Sequence, residues 1–230
     1  MKITILSCGP GLEDIVSQYG HSSEWIPSII NNPTIDYNIK KVYLDNNFSL
    51  DKCDGYIITG SKYSVYDSLD WIKHLKDYVK SIINNNFSIL GICFGHQLIA
   101  DCLGGTVCKN QLGWELGSYN IKLTNYGIDN TLFKGIDNND IVYESHQDVV
   151  SELPDGAVKL AYTNKGVQAF QYKNNIFGVQ FHPEFSYGIT RKLMDLRINK
   201  GIDVDSDILA ESINSKKVLT NYIEILKRGN

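Results

Sequence analysis

The chain has 230 residues, of which 43% are hydrophobic and 21% charged, and its formal net charge is -4. This length allows a core that needs neither a disulfide nor a metal for support. The slight negative charge, with Lys and Arg spread along the chain, argues against a nucleic-acid-binding surface. No stretch approaches the roughly 18 apolar residues that cross a bilayer, so neither nucleic acid nor membrane is an expected partner.

The cysteines and the N-terminus indicate the compartment. Five cysteines, at positions 8, 53, 93, 102 and 108, form no CxxC pair. An odd set without such pairs suits a reducing compartment better than a disulfide framework. The first apolar run is soon broken by Gly9-Pro10-Gly11, which is not the pattern of a signal peptide. We therefore expect a cytoplasmic protein.

The first half of the chain predicts alternating strands and helices. Runs rich in β-branched and aromatic residues predict strands, at 2–8, 37–44, 55–59 and 87–93. Apolar residues at helical spacing predict a helix over 68–84, and a second helix follows in the segment HQLIADCL. Such alternation with short connections predicts an α/β fold, with a mostly parallel central sheet flanked by helices.

The second half predicts short strands and then helix. The strand-like runs are separated by turn residues, at 117–124, 140–147, 157–164, 166–174 and 175–181. Their spacing favours antiparallel strands that extend the sheet or form a small second one. From Ser186 onward the pattern is helical, with an interruption near Gly201. We expect a single domain over 1–230, with a core over 1–190 and a C-terminal helical extension over 191–230.

Cys93 lies on a sharp corner between two glycines, in the run GICFG, where a predicted strand passes into a predicted helix. This G-x-nucleophile-x-G spacing is that of a nucleophile elbow. The helix N-terminus would favour the Cys93 thiolate, and the backbone N–H of Phe94 would be placed to donate to an oxyanion. A structural cysteine on a tight strand-to-helix turn has the same spacing, so both interpretations stay open.

A cysteine nucleophile needs a histidine base and a group that orients that base. His182 ends a strand-like run and precedes Pro183 and Glu184. Because a proline restricts the residue before it to extended geometry, this exit could hold the carboxylate against the imidazole. A surface turn is the common alternative explanation of HPE, and His146, in YESHQDVV, is a competing base.

The other histidines carry weaker signals. His21 and His74 lie in stretches predicted to be helical and exposed, and we interpret them as bystanders. His96 follows the elbow and is interpreted as a packing and hydrogen-bonding residue. No pair of histidines or cysteines has metal-ligand spacing, so neither a metal nor another cofactor is expected.

Together these segments resemble a known family. GICFGHQ and GVQFHPEF resemble the signature pair of class I glutamine amidotransferases. ESHQDVVSELPDGA and VQAFQY are similar to segments of the branch related to the amidotransferase domain of GMP synthase. TGSKYSVYDSLDWIKHL and CLGGTV…GWELG resemble stand-alone members of that branch, which include plant γ-glutamyl peptidases. The resemblance covers about residues 1–190 and implies a flavodoxin-like architecture with added antiparallel strands.

The resemblance also implies a reaction. Cys93 would attack the side-chain carboxamide of glutamine, release ammonia and form a γ-glutamyl thioester that water then hydrolyses. His182 would transfer the proton, and Glu184 would orient the imidazole and stabilise its charge. The backbone N–H groups of Gly60 and Phe94 would form the oxyanion hole.

Five further positions match substrate contacts or their surroundings. The resemblance implies that Gln97 contacts the amino-acid end of the substrate, and that Ser145, Gln147 and Asp148 hold its α-amino and α-carboxylate groups. Lys62 departs from the pattern, because relatives often carry glycine there. A lysine at the pocket mouth would suit a substrate that is bulkier than glutamine or bears an anion, and a lysine that points to solvent is the alternative.

Three functions therefore stay open. The leading interpretation is a glutamine amidotransferase-type hydrolase that converts glutamine to glutamate and ammonia. The alternatives are a stand-alone hydrolase of γ-glutamyl peptides or amides, and a non-catalytic binding or regulatory relative, against which the intact Cys93, His182 and Glu184 argue. The sequence has no glycine-rich phosphate loop for an ATP-using domain, so any ammonia-accepting synthetase would be a separate protein chain.

Overall fold

The computed structural model of the chain describes residues 1–45, 49–204 and 209–229. Its strands are β1 Lys2–Ser7, β2 Asp36–Lys41, β3 Gly55–Ile58, β4 Ile89–Ile92, β5 Thr106–Lys109, β6 Glu115–Asn120, β7 Lys122–Leu123, β8 Ile141–His146, β9 Asp148–Glu152, β10 Ala157–Tyr162, β11 Val167–Tyr172 and β12 Ile176–Val179. Its α-helices are α1 Glu13–Tyr19, α2 Ser22–Ile30, α3 Asp70–Asn84, α4 Phe94–Cys102, α5 Asn125–Ile128, α6 Tyr187–Ile198 and α7 Lys217–Gly229. A 3-10 helix spans Thr131–Phe133.

Eight strands form the central sheet, in the order β2-β1-β3-β4-β12-β11-β10-β7. Five neighbouring strands are mutually parallel, namely β2, β1, β3, β4 and β12. The sheet is then extended by antiparallel pairing of β11, β10 and β7. Two antiparallel pairs, β5 with β9 and β6 with β8, lie outside this sheet. The predicted fold class, a mostly parallel sheet with helices and added antiparallel strands, is confirmed.

One strand of the second half differs from the prediction in direction. The spacing predicted antiparallel strands throughout this half, but β12 pairs in parallel with β4. The hairpin with β11 reverses the chain, so β12 runs in the same direction as the first-half strands. Its carboxyl end therefore lies at the same edge of the sheet as the carboxyl end of β4.

Helices cover the two faces of the sheet. On one face α2 and α7 contribute Ile26, Ile30, Leu219 and Tyr222 to the main core, and on the other α3 and α4 contribute residues such as Leu75. Strands β3 and β4 are buried on both faces, which explains their continuous apolar sequences. The apolar spacing that predicted a helix over 68–84 produces α3 over Asp70–Asn84.

The first half also contains two short helices whose bounds the sequence did not predict, although His21 was expected in a helical stretch. Helix α1 has seven residues and α2 has nine, so each carries only a short periodic signal. His21 is not an exposed bystander inside a helix, because it is the half-buried N-cap of α2 and its Nε2 lies 2.9 Å from the carbonyl oxygen of Gly9. His74 is exposed on α3, and His96 is fully buried and packs against Phe170.

The C-terminal part is less helical than predicted. Helix α6 ends before Gly201, which has a φ of 77°, so the predicted interruption is correct. The described residues 209–216 are not helical, because Ser212 and Asn214 bond instead to the strand β8 region. Ser212 Oγ donates to the carbonyl oxygen of Ile141, which starts β8. The predicted helix at positions 205–208 and 230 lies outside the described residues.

Candidate active site

Three neighbouring parallel strands end beside one another. Gly60 follows β3, Cys93 follows β4 and His182 follows β12, and these strands are adjacent in the sheet. Because the carboxyl ends of parallel strands meet at one edge, residues just beyond them converge there. The structure therefore brings together three positions that are far apart in the sequence.

Cys93 sits on a strained corner. It is the N-cap residue of α4 and has φ 52° and ψ -102°, a conformation that costs a non-glycine residue roughly 1–3 kcal/mol. A Cβ at Gly91 would lie 2.4 Å from the Gly95 backbone, and one at Gly95 would lie 2.4 Å from the carbonyl oxygen of Ile58. Both glycines thus permit the close approach of α4 to the sheet that the elbow requires.

His182 and Glu184 form a buried pair beside Cys93. Nδ1 of His182 lies 2.7 Å from Oε1 of Glu184, and the imidazole stacks on the Phe185 ring with centroids 3.8 Å apart. Burial alone would lower the pKa of His182, but the Glu184 carboxylate and the Cys93 side chain outweigh it and raise that pKa to about 10. An imidazolium is therefore the favoured form at neutral pH.

Gly60 lies against this pair. An atom added as Cβ at Gly60 would be 2.9 Å from Cε1 of His182 and 3.5 Å from Cβ of Cys93. Phe94 is the first residue of α4, directly after the thiol. The two residues predicted to supply oxyanion N–H groups thus flank Cys93 from neighbouring strand ends.

The remaining predicted residues line one polar cavity beside the thiol. Its walls include Cys93 and all five positions matched to the substrate or its surroundings, namely Lys62, Gln97, Ser145, Gln147 and Asp148. The side-chain amide of Gln97 donates to the Asp148 carbonyl oxygen at 2.9 Å and to Oε1 of Gln180 at 3.1 Å. The carboxylate of Asp148 accepts hydrogen bonds from the hydroxyls of Ser64 and Tyr66, and its remaining lone pairs can still accept from an ammonium group.

Comparison with known proteins identifies the family. The family model for glutamine amidotransferase class-I matches residues 5–196. The chain belongs to the class I glutamine amidotransferase family.

Relatives of two kinds match this amidotransferase-family chain. γ-Glutamyl peptidase 4 from Arabidopsis thaliana is 36% identical over 149 residues, which are 64% of this chain and 59% of that protein. The chain thus spans about three fifths of this curated relative. A subunit of the glutamine-hydrolyzing GMP synthase from Sulfolobus acidocaldarius is 40% identical over 140 residues, 60% of this chain and 71% of that protein. A glutamine amidotransferase structure from Thermotoga maritima has a TM-score of 0.74 at 21% identity, covering 99% of this chain and 96% of that one, and shows the same fold.

His146 was the competing candidate for the general base, but its surroundings in this amidotransferase-family site do not suit that role. Its Nε2 lies 3.3 Å from Glu115 and 3.1 Å from Glu144, and its Nδ1 lies 3.0 Å from the Asp148 carbonyl oxygen. All three neighbours are acceptors, so both ring nitrogens are favoured to keep their protons. Burial opposes the charge, but the two carboxylates outweigh it and raise the pKa of His146 well above its usual value.

Two residues that line the site had no predicted role. Arg197, on α6, lines the polar cavity and places its guanidinium carbon 4.9 Å from the centre of the Trp114 ring. Phe185 stacks on His182, as described above. Phe185 lies inside the signature GVQFHPEF and could have been singled out there, whereas Arg197 belongs to a helical segment that gives no site signal.

Neither a metal site nor a membrane segment is found in the part of the chain that the structure describes. No group of three or more His, Cys, Asp or Glu residues there is arranged to hold a metal ion. No helix in these ranges is both long enough and apolar enough to cross a membrane. The five cysteines are all unpaired thiols.

Proposed function

We propose that the chain is a hydrolase that cleaves the γ-carboxamide of glutamine or of a γ-glutamyl amide through a thioester on Cys93. One observation carries the proposal: a thiol on a strained elbow lies beside a buried imidazole that a carboxylate orients at 2.7 Å. Strain of this kind concentrates at active sites, where it helps to hold a reacting group in place. Membership of a glutamine amidotransferase family supports the same chemistry.

The reaction follows from the roles of three side chains. The Cys93 thiolate attacks the amide carbon, and the carbonyl oxygen becomes an oxyanion that accepts from the N–H groups of Gly60 and Phe94. The C–N bond then breaks and the imidazolium of His182 protonates the leaving amine. In the second half, His182 takes one proton from water as the water oxygen attacks the thioester carbon. The C–S bond then breaks, which returns the Cys93 thiolate and releases the γ-carboxylic acid, and this acid loses its proton to solvent.

The polar cavity is proposed to hold the glutamyl part of the substrate. Asp148 is suited to the α-ammonium group, because it is a carboxylate held in place by Ser64 and Tyr66. Ser145 and Gln147 are suited to the α-carboxylate as hydrogen-bond donors. The Gln97 side chain donates to the backbone carbonyl of Asp148, so Gln97 is suited to hold Asp148 in position as well as to contact the substrate directly.

The test is release of glutamate by the isolated protein from glutamine and from a panel of γ-glutamyl amides. Cys93→Ala and His182→Ala are expected to lower turnover by several orders of magnitude, since general acid–base catalysis alone contributes about 10²–10⁴-fold. Cys108→Ala, which removes an exposed thiol, is the matched control and should retain activity. Release that persists in Cys93→Ala would refute the proposal, and no release by any form would favour a non-catalytic relative.

A second candidate function has its own support. The 40% identical relative belongs to a GMP synthase, so glutamine hydrolysis in this chain could deliver ammonia to a separate synthetase partner. We favour a stand-alone hydrolase in a reducing, cytoplasmic setting, and expect measurable hydrolysis without any partner. Activity that appears only when a second protein is added would favour the role of ammonia supplier to a synthetase instead.

A further inference from the structure

A second cavity adjoins the site on the side of His182. It is lined by His182, Glu184 and Gly60 and by a largely apolar wall. This wall is formed by α1, α2 and α6 and the residues just before α1 and α6, and it includes Leu12, Ile15, Val16, Trp25, Phe185 and Leu193. Its volume is about 110 Å³, whereas a single water needs roughly 10–15 Å³ on that scale. The space is therefore much larger than an ammonia molecule requires.

The position of this cavity indicates which part of a substrate would occupy it. In the proposed reaction, His182 protonates the leaving amine, so that amine must lie on the side of the imidazole. The glutamyl part is assigned to the polar cavity on the Cys93 side. Whatever is bound to the leaving nitrogen would then extend into the second cavity, where apolar side chains provide its surroundings.

The two cavities share two cationic residues. Lys62 and Arg197 line both cavities, together with Ser61 and Ser145. Among the described residues no carboxylate lies within ion-pair distance of either side chain, and Nε of Arg197 is buried without a hydrogen-bond partner. Trp114 holds the guanidinium by a cation–π contact at 4.9 Å. A preorganised guanidinium of this kind suits a carboxylate.

We propose that the second cavity is a leaving-group site for an apolar amino acid, and that Arg197 determines specificity by binding the carboxylate of that amino acid. The substrate class is thus a γ-glutamyl dipeptide whose second residue has an apolar side chain. The side chain would pack against Trp25, Phe185 and Leu193, while the carboxylate would pair with Arg197 and Lys62. This inference rests on the proposed function and names its substrate class.

Four compounds distinguish recognition of the carboxylate from recognition of the apolar side chain. γ-Glutamyl-leucine has both the carboxylate and the apolar group, γ-glutamyl-glycine has only the carboxylate, the γ-glutamyl amide of isoamylamine has only the apolar group, and glutamine has neither. We expect kcat/KM, measured as glutamate release by the full chain, to be highest for γ-glutamyl-leucine and lowest for glutamine. Each feature is expected to contribute about tenfold or more.

Arg197→Gln tests the carboxylate contact. Loss of a charge-assisted hydrogen bond should lower kcat/KM about 10- to 100-fold for the leucine and glycine compounds. For the isoamylamide and for glutamine, kcat/KM should change less than about threefold in this variant. Arg197→Lys should restore part of the loss, since it keeps the charge but not the fork-shaped donor geometry. Lys200→Gln, which removes an exposed positive charge just after α6, should leave all four values unchanged.

Different failures lead to different conclusions. An equal loss of kcat/KM for all four compounds in Arg197→Gln would overturn the specificity role and indicate contact with the glutamyl part or with the site itself. Equal cleavage of the leucine and glycine compounds by the wild type would overturn the apolar leaving-group site. If no compound releases glutamate and Cys93 reacts with no glutamine-like electrophile, the proposed function itself has failed.

Discussion

Cys93 combines a reactive group with an unfavourable backbone conformation. At φ 52° and ψ -102° its Cβ is crowded, yet the neighbouring glycines and the start of α4 keep it there. The cost of roughly 1–3 kcal/mol must be offset by packing elsewhere in the fold. The strain predicts an unusual response to glycine at this position.

We expect Cys93→Gly to be at least as stable as Cys93→Ala. Glycine relieves the strained φ, and this gain offsets the roughly 0.5–1 kcal/mol that glycine usually costs through the entropy of the unfolded chain. Thermal unfolding measures the difference, at about 2–4 °C per kcal/mol for a chain of this size. Ala100→Gly in the same helix is the control and should lower Tm. If the Tm of Cys93→Gly lies below that of Cys93→Ala by as much as the Tm of Ala100→Gly lies below that of the wild type, the backbone at Cys93 is not strained.

The pH dependence of activity reports on His182. Its pKa is raised to about 10 by Glu184 and Cys93 despite burial, so the imidazolium that we propose as the proton donor to the leaving amine persists through neutral pH. Above neutral pH, we expect kcat/KM to stay constant at first and to fall as the pH approaches about 10. The same shift stabilises the folded state most below the ordinary histidine pKa of about 6.5, and this contribution is lost as the pH rises through about 10.

Glu184→Gln tests the cause of that shift. An amide can still bond to the imidazole, but it lacks the charge that raises the pKa of His182, so the alkaline limb of the kcat/KM profile should move to lower pH. Activity below this limb should fall less than in His182→Ala. An unchanged alkaline limb in Glu184→Gln would show that another group titrates there.

One buried cluster of charged and polar side chains connects strands β6, β8 and β9. His146 ends β8 and lies between Glu115 on β6 and Glu144 on β8, while its Nδ1 faces the carbonyl oxygen of Asp148 at the start of β9. Glu115 also accepts from Thr163 at 2.6 Å and from Gln168 at 2.9 Å. The imidazole thus offsets buried negative charge beneath the polar cavity.

We expect His146→Gln to lower the free energy of unfolding by about 3–5 kcal/mol, because it leaves buried carboxylates without their counter-charge. Burial already raises the pKa of Glu144 to about 7, so protonation of Glu144 should relieve part of the loss at lower pH. Urea unfolding of the variant at pH 6 and pH 8 measures this, with Glu144→Gln/His146→Gln as the control that removes one of the charges. A stable but inactive His146→Gln would instead favour His146 as the catalytic base.

Helix α7 belongs to the core around the central sheet. Leu219, Tyr222 and Leu226 are buried in the same cluster as β1 and β3 residues, and the Tyr222 hydroxyl donates to the carbonyl oxygen of Tyr56 at 3.0 Å. A Cβ at Gly55 would lie 2.8 Å from the Leu226 side chain, so this contact is close. We therefore propose a single domain in which the C-terminal segment is an integral part.

A chain that ends at residue 198 should fail to fold cooperatively, because removal of α7 exposes this side of the core. Leu226→Ala in the full chain is the milder test and should cost about 2–5 kcal/mol of unfolding free energy. Denaturant unfolding followed by circular dichroism measures both. A truncated chain with a cooperative transition and intact activity would show that α7 is a dispensable extension.

Short motifs made much of the geometry of the candidate site predictable. The elbow at Cys93 and the pair of His182 and Glu184 are each encoded within a few residues, and the alternation of strands and helices indicated the parallel sheet that brings them together. Arg197 was not predictable, because only the packing of α6 places it at the cavity. The carboxylates around His146 come from two separate strands, and the short α1 and α2 carry too little periodicity for their bounds to be predicted.

The most direct test of the nucleophile is covalent labelling by a diazo-ketone analogue of glutamine, followed by mass spectrometry of the peptides. We expect one adduct, on the peptide that contains Cys93, with protection by γ-glutamyl substrates and no labelling of Cys93→Ala. An adduct on Cys8, Cys53, Cys102 or Cys108, with Cys93 unmodified, would contradict it.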